Sequence, residues 1–145
     1  MHKKFYKDYS GKPLIYLISP PKIDIKTFPG TLSKVLDTQM VNVFQLRLKN
    51  YKDLDLIKIT SLLYKICKKK NVTFILNDRV DIAKKLNVDG VHVGKEDGSI
   101  KSARNILGNL KIIGSSCYNN RNLSIKSQNL GANYVAFGAF FKTYT

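Results

Sequence analysis

The chain has 145 residues, 25 of them Lys or Arg against 10 Asp or Glu, giving a formal charge of +15, and it is 43% hydrophobic and 24% charged. That length bounds it to one domain, and that balance excludes a disordered, collagen-like or coiled-coil chain. Its longest apolar runs, Pro13 to Pro21 and Asn71 to Leu76, fall far short of the roughly 18 residues a membrane helix needs, so no membrane partner is expected.

In chain order, the basic start MHKKFYKDYSGK has no small-residue cleavage site behind it and does not read as a signal peptide, so a cytoplasmic protein is expected. Leu14 to Ser19 reads as a first strand, closed by Pro20-Pro21. Phe28-Pro29-Gly30 reads as a loop, followed by a helix over Thr31 to Met40. The alternation continues with a strand at Asn42 to Leu48, a helix at Asp53 to Lys70, a strand at Val72 to Leu76 and a helix at Asp78 to Leu86. Gly90 to Val93, Lys111 to Ser115 and Asn133 to Gly138 are the remaining strands, with helices at Ile100 to Leu107 and Asn122 to Leu130 between them. Gly108 and Gly131 fall where helices should stop. Strand starts recur about every 24 residues, enough for a strand and its crossover helix. Six such units imply a parallel sheet with right-handed crossovers. An open doubly wound sheet would be complete with six strands, whereas a (β/α)₈ barrel needs eight units.

The charge suggests phosphate binding, but Lys supplies 21 of the cations and Arg only 4, and Arg is the better reader of bases. Lys68-Lys69-Lys70 and Lys84-Lys85 fall near the C-terminal ends of expected helices, where cations meet the negative end of the dipole. The surplus is therefore read as solvated helix ends that also attract small phosphorylated substrates; no nucleic acid partner is expected. Cys67 and Cys117 have neither CxxC spacing nor the number for a disulfide framework, and free thiols are expected.

The chemistry concentrates at strand ends. In Val41 to Lys49, period-2 alternation places Phe44, Leu46 and Leu48 on one face and Gln45, Arg47 and Lys49 on the other. An open sheet covered on both faces has no place for these polar groups. In a barrel the strand ends point into the mouth, where an anionic substrate can pair with them; the alternative is an edge strand with a solvated face. Strand three runs into Asn77-Asp78-Arg79, strand four into Lys95-Glu96-Asp97, strand five into Ser115-Ser116 and strand six towards Thr143-Tyr144-Thr145. Such convergence marks the catalytic face of a barrel. Asp78 and Asp97 are hard oxygen donors suited to Mg²⁺ shared with substrate phosphates, although Asp78 also suits a helix N-cap and Asp97 a turn before Gly98. His92, between Val91 and Val93, reads as a packed or supporting histidine rather than a catalytic one.

Taken together, Gln45-Leu-Arg47-Leu-Lys49, Phe74-Ile-Leu-Asn77-Asp78-Arg79-Val-Asp81-Ile-Ala83, Asp89-Gly-Val-His92-Val-Gly94-Lys-Glu-Asp97, Ile113-Gly-Ser-Ser116 and Gly131-Ala-Asn-Tyr134-Val-Ala-Phe-Gly138 with Thr143-Tyr-Thr145 resemble the thiamine phosphate synthase and thiazole tautomerase superfamily, in the family's order. The resemblance implies a (β/α)₈ barrel, so residues 1–145 are expected to form a single partial barrel domain of about six βα units, with strands seven and eight to follow Thr145. It implies a Mg²⁺-dependent transferase that joins a pyrimidine diphosphate to a thiazole phosphate and releases pyrophosphate. It also implies roles: Gln45, Arg47, Lys49, Asn77 and Ser116 for the pyrimidine diphosphate, Thr143 and Thr145 for the thiazole phosphate, and Asp78 and Asp97 for the metal. No protein nucleophile is implied, since pyrophosphate departs first and the thiazole nitrogen captures the pyrimidine methyl cation.

Two positions depart from the pattern. Lys142 stands where the family usually has Pro, and Tyr118 where the tautomerase branch commonly has His. The second favours the synthase, as does the presence of the full Gln-Leu-Arg-x-Lys and aspartate set. A tautomerase-like or inactive barrel relative and a basic nucleic-acid-binding α/β module are the alternatives.

Overall fold

The structure, a computed structural model, describes residues 13–94 and 100–142. Among them, six strands alternate with five helices. The chain divides into two compact units, Met1–Phe74 and Ile75–Thr145, with the division inside the third strand.

In the first unit, β1 (Ile15–Ile18) and β2 (Val41–Leu46) run parallel, Ile15 opposite Val41 and Ile18 opposite Gln45, with a bulge between Ile15 and Tyr16. α1 (Phe28–Asp37) starts three residues before the expected Thr31 because Pro29 sits inside its first turn. The N–H groups of that turn have no intrahelical acceptor, and proline's fixed φ suits the position. α2 (Asp53–Lys69) carries Asp53 and Asp55 in its first turn and Lys68 and Lys69 in its last, each complementing the dipole. Its Leu56, Ile59, Leu63 and Cys67 recur at three- and four-residue spacing and are buried, one apolar stripe of a 3.6-residue period. Phe44 of β2 is fully buried, its ring centroid 6.4 Å from Phe28 and 5.8 Å from Phe74. Truncating such a side chain to Ala costs about 3–5 kcal/mol.

In the second unit, β3 (Thr73–Asn77) pairs from Ile75 onward with β4 (Gly90–Val93), β4 with β5 (Ile112–Tyr118) and β5 with β6 (Tyr134–Phe137), all parallel. The crossovers are α3 (Val80–Leu86), α4 (Ile100–Leu107) and α5 (Arg121–Asn129). Right-handed crossovers that all step the same way place their helices on one face of the sheet. A doubly wound sheet instead reverses its strand order at a switch point, and this unit has no reversal. The fold is α/β, of the (β/α)₈ barrel family.

Helix stops follow local chemistry. Gly108 and Gly131 end α4 and α5 with φ of 75° and 100°, the left-handed region that glycine enters without a steric penalty. Asn120 caps α5, its Oδ1 accepting the Leu123 N–H at 2.9 Å. Behind these turns, the Arg104 guanidinium donates to the carbonyls of Gly108, Lys111 and Gly131 at 2.8, 2.7 and 2.6 Å and to Asn133 Oδ1 at 2.7 Å. Burial lowers its pKa from the ordinary arginine value. Cys67 and Cys117 are buried free thiols. No helix among the described residues is long and apolar enough to cross a membrane.

Candidate active site

Among the described residues, Gln45, Arg47, Lys49, Asn77 and Asp78 fall at or just past the carboxyl ends of strands, in each unit separately. In the first unit, β2 closes at Leu46, two residues before the expected Leu48, and the cause lies in its neighbour. Pro20 and Pro21 have no N–H to give a ladder, so side-chain and irregular backbone bonds take over. Ser19 N–H donates to the Gln45 carbonyl at 2.9 Å, the Arg47 N–H donates to Ser19 Oγ at 2.9 Å, and the Lys49 N–H donates to the Pro21 carbonyl at 3.2 Å. The 45–49 segment is thus held along its length although Arg47 and Lys49 lie outside the strand.

Burial then grades the three expected residues. Gln45 is buried, and its Oε1 accepts the Tyr16 hydroxyl at 2.9 Å, which fixes the amide. Arg47 is half-buried and Lys49 exposed. Among the described residues, neither cationic head has a hydrogen-bond or ion-pair partner. A half-buried guanidinium with no anion beside it is poised for one, because desolvation without pairing is costly.

In the second unit, Asn77 ends β3 and Asp78 follows in the left-handed region at φ 63°, where Asp and Asn are the tolerated side-chain-bearing residues. Asp78 therefore stands outside α3, which begins at Val80 rather than at the expected Asp78; the N-cap position belongs to Arg79, which makes no side-chain cap. The N-cap reading of Asp78 is thereby overturned, and its carboxylate instead accepts the Asn77 side-chain amide. Arg79 is turned to Asp81, with Nε to Oδ1 at 3.0 Å and Nη2 to Oδ2 at 2.7 Å. The hydrogen bond from Arg79 holds the Asp81 carboxyl below the ordinary aspartate pKa.

Asn77, His92, Gly114 and Tyr134 are register partners across β3, β4, β5 and β6. Partners in a parallel ladder share a face, and Ser116, two residues beyond Gly114, lies on that face too. His92 is buried, with Nε2 at 2.9 Å from Ser116 Oγ and Nδ1 at 3.0 Å from Tyr134 Oη. Gly114 makes this closeness geometrically accessible: a Cβ there would lie 2.0 Å from Tyr134 Cζ. Ser116 lies within β5, which extends through Tyr118, and not after the fifth strand as expected. Tyr134 and Gly114 fall within the segments that carry the family resemblance, but the sequence reading gives them no role; a glycine inside a strand pattern signals a close approach of this kind. Asp97, Thr143 and Thr145 lie outside the described residues.

The family model described as thiamine monophosphate synthase matches residues 15–145. The chain belongs to this family. Among its relatives, a thiamine-phosphate synthase of Pelagibacter ubique is 47% identical over 93% of this chain and 65% of its own length. A thiamine-phosphate synthase of Rhodospirillum centenum is 43% identical over 90% of this chain and 63% of its own. The solved thiamine phosphate pyrophosphorylase from Pyrococcus furiosus superposes with a TM-score of 0.78 at 27% identity, covering 90% of this chain and 62% of that one. The chain thus spans somewhat less than two thirds of the length of these relatives.

Proposed function

We propose that the protein carrying this chain is a thiamine phosphate synthase: it joins 4-amino-2-methyl-5-(diphosphooxymethyl)pyrimidine to thiazole phosphate, releasing pyrophosphate. The observation that carries the reading is the β2 exit, where a half-buried Arg47 and an exposed Lys49 stand without anionic partners among the described residues. Family membership and the names of the relatives support the same substrates.

In this reading Gln45, Arg47, Lys49 and Asn77 bind the pyrimidine diphosphate, and Ser116 contacts its ring. Thr143 and Thr145 belong to the thiazole phosphate site. Asp78 and Asp97 hold Mg²⁺. The donor set fits that ion: the Asp78 carboxylate supplies hard oxygens and stands before α3, whose N-cap is Arg79. Among the described residues no three His, Cys, Asp or Glu gather to form a protein cage, and Mg²⁺ needs none when it takes one or two carboxylates and completes its shell with substrate phosphates. When bound, the ion neutralises diphosphate charge. Arg47 and Lys49 stabilise the charge that grows on the departing pyrophosphate. The bond from the pyrimidine methylene carbon to the diphosphate oxygen breaks with its electron pair leaving on oxygen, and the thiazole nitrogen supplies the pair that forms the new C–N bond. No protein nucleophile takes part. The two buried free thiols suit a cytoplasmic setting, where thiols stay reduced.

The test is genetic. The full-length gene is placed in a strain that makes both precursors but cannot join them. Growth without thiamine, lost on Arg47→Ala, is the expected result; no growth from a well-expressed, folded protein would overturn the reading.

A further inference from the structure

Ser116 does not stand alone on its face of the second unit. Its hydroxyl lies 2.9 Å from His92 Nε2, and the other ring nitrogen lies 3.0 Å from the Tyr134 hydroxyl. A neutral imidazole donates from one nitrogen and accepts at the other, and which nitrogen bears the proton is set by the partner of the opposite one. A phenol is a better donor and a poorer acceptor than an aliphatic hydroxyl. These preferences favour one polarity for the chain, in which Tyr134 O–H donates to Nδ1, Nε2–H donates to Ser116 Oγ, and the Ser116 proton points outward. We propose that Tyr134 and His92 are positioning residues that hold Ser116 as a hydrogen-bond donor to an acceptor atom of the bound pyrimidine. This rests on the synthase reading above.

The geometry supports a built device rather than incidental packing. His92 is buried while Ser116 and Tyr134 are half-buried, so the imidazole is shielded and the serine end is reachable. Tyr134 reaches His92 across β5 only because position 114 carries no side chain: an added Cβ would lie 2.0 Å from Tyr134 Cζ and 2.3 Å from its hydroxyl oxygen. The device therefore has four parts, Gly114, Tyr134, His92 and Ser116, contributed by three strands.

Two measurements on the full-length protein test it. The first is ¹⁵N NMR of His92, assigned by loss of its signals in His92→Gln. The expected tautomer carries the proton on Nε2, and Tyr134→Phe moves population towards the Nδ1–H form. A wild-type Nδ1–H tautomer overturns the proposal whatever the activity. The second is a double-mutant cycle on KM for the pyrimidine diphosphate. Tyr134→Phe is expected to raise that KM about fivefold to tenfold, the worth of one net hydrogen bond, with KM for the thiazole phosphate unmoved. In a Ser116→Ala background the same change is expected to do nothing further. An undiminished effect in that background overturns the positioning role, as does no effect of Tyr134→Phe where Ser116→Ala weakens binding. If Ser116→Ala itself leaves pyrimidine binding unchanged, the assignment of Ser116 in the synthase reading fails, and the proposal falls with it. Gly114→Ala serves as a second variant that leaves all three polar side chains in the sequence but sets a Cβ against the Tyr134 ring, and it is expected to reproduce the Tyr134→Phe tautomer shift.

Discussion

The backbone N–H of Asp78 donates to the carbonyl oxygen of His92 at 2.8 Å. This bond continues the β3–β4 ladder one residue past the end of β3, so the turn that carries the acidic side chain is anchored to the strand that carries the imidazole. The left-handed conformation at Asp78 then directs the chain away into α3 without making Asp78 part of the helix.

Asp78→Asn should separate charge from conformation. Asparagine also tolerates the left-handed region, so stability is expected to stay within about 0.5 kcal/mol of wild type. Turnover is expected to fall by about a hundredfold or more, the scale seen when one electrostatic stabiliser is removed. Steady-state rates across a Mg²⁺ titration, paired with thermal melts, give both numbers; undiminished turnover would remove Asp78 from the metal site.

At the β2 exit the two cations should behave differently because their burial differs. Arg47→Ala is expected to weaken inorganic pyrophosphate binding by about 2–5 kcal/mol, the range for truncating a desolvated charge partner. Lys49 is exposed, and its loss should cost about 1 kcal/mol or less. Calorimetric titration of both variants would show equal losses if the segment were merely a solvated face.

Arg104 makes a prediction about stability alone. Removing it takes one donor each from three carbonyls and from Asn133 Oδ1, which keeps the Ile113 N–H at 2.9 Å. Arg104→Ala is expected to destabilise the chain by about 2–3 kcal/mol. Arg104→Lys should recover little, since an ammonium cannot reproduce the guanidinium fork. Urea denaturation checks the pair, and a lysine variant as stable as wild type would contradict the clamp.

Thr60 is the opposite case. It is fully buried on the apolar stripe of α2, and its hydroxyl oxygen has no hydrogen-bond partner among the described residues. An unpaired buried hydroxyl costs about 1–3 kcal/mol. Thr60→Val keeps the branched shape and is expected to raise stability by about 1 kcal/mol in the same denaturation experiment; a loss would mean that the hydroxyl is satisfied in solution.

Much of this was legible in the sequence because it is local. The alternation of strands and helices follows apolar period, and the helix stops at Gly108 and Gly131 are encoded in residues that accept positive φ. Strand ends were less legible because each depends on a neighbour. β2 stops at Leu46 where Pro20 and Pro21 withdraw their donors, and β5 runs on past Ser115 because β6 pairs with it: Ser116 lies opposite Ala136 and Tyr118 opposite Phe137. Pro29, read as loop chemistry, proved to be first-turn chemistry. The motif residues Gln45, Arg47, Asn77 and Asp78 were visible at strand ends. The partners of His92 were not, since no spacing rule connects residues 92, 116 and 134; only the sheet register does.

The most direct measurement of the central claim is product stoichiometry. Purified full-length protein is supplied with Mg²⁺, the pyrimidine diphosphate and the thiazole phosphate, and pyrophosphate and thiamine phosphate are quantified together. The account predicts that the two products appear in equal amounts and only when both substrates and the metal are present. Pyrophosphate released without thiamine phosphate, or no product from a folded protein, would contradict it.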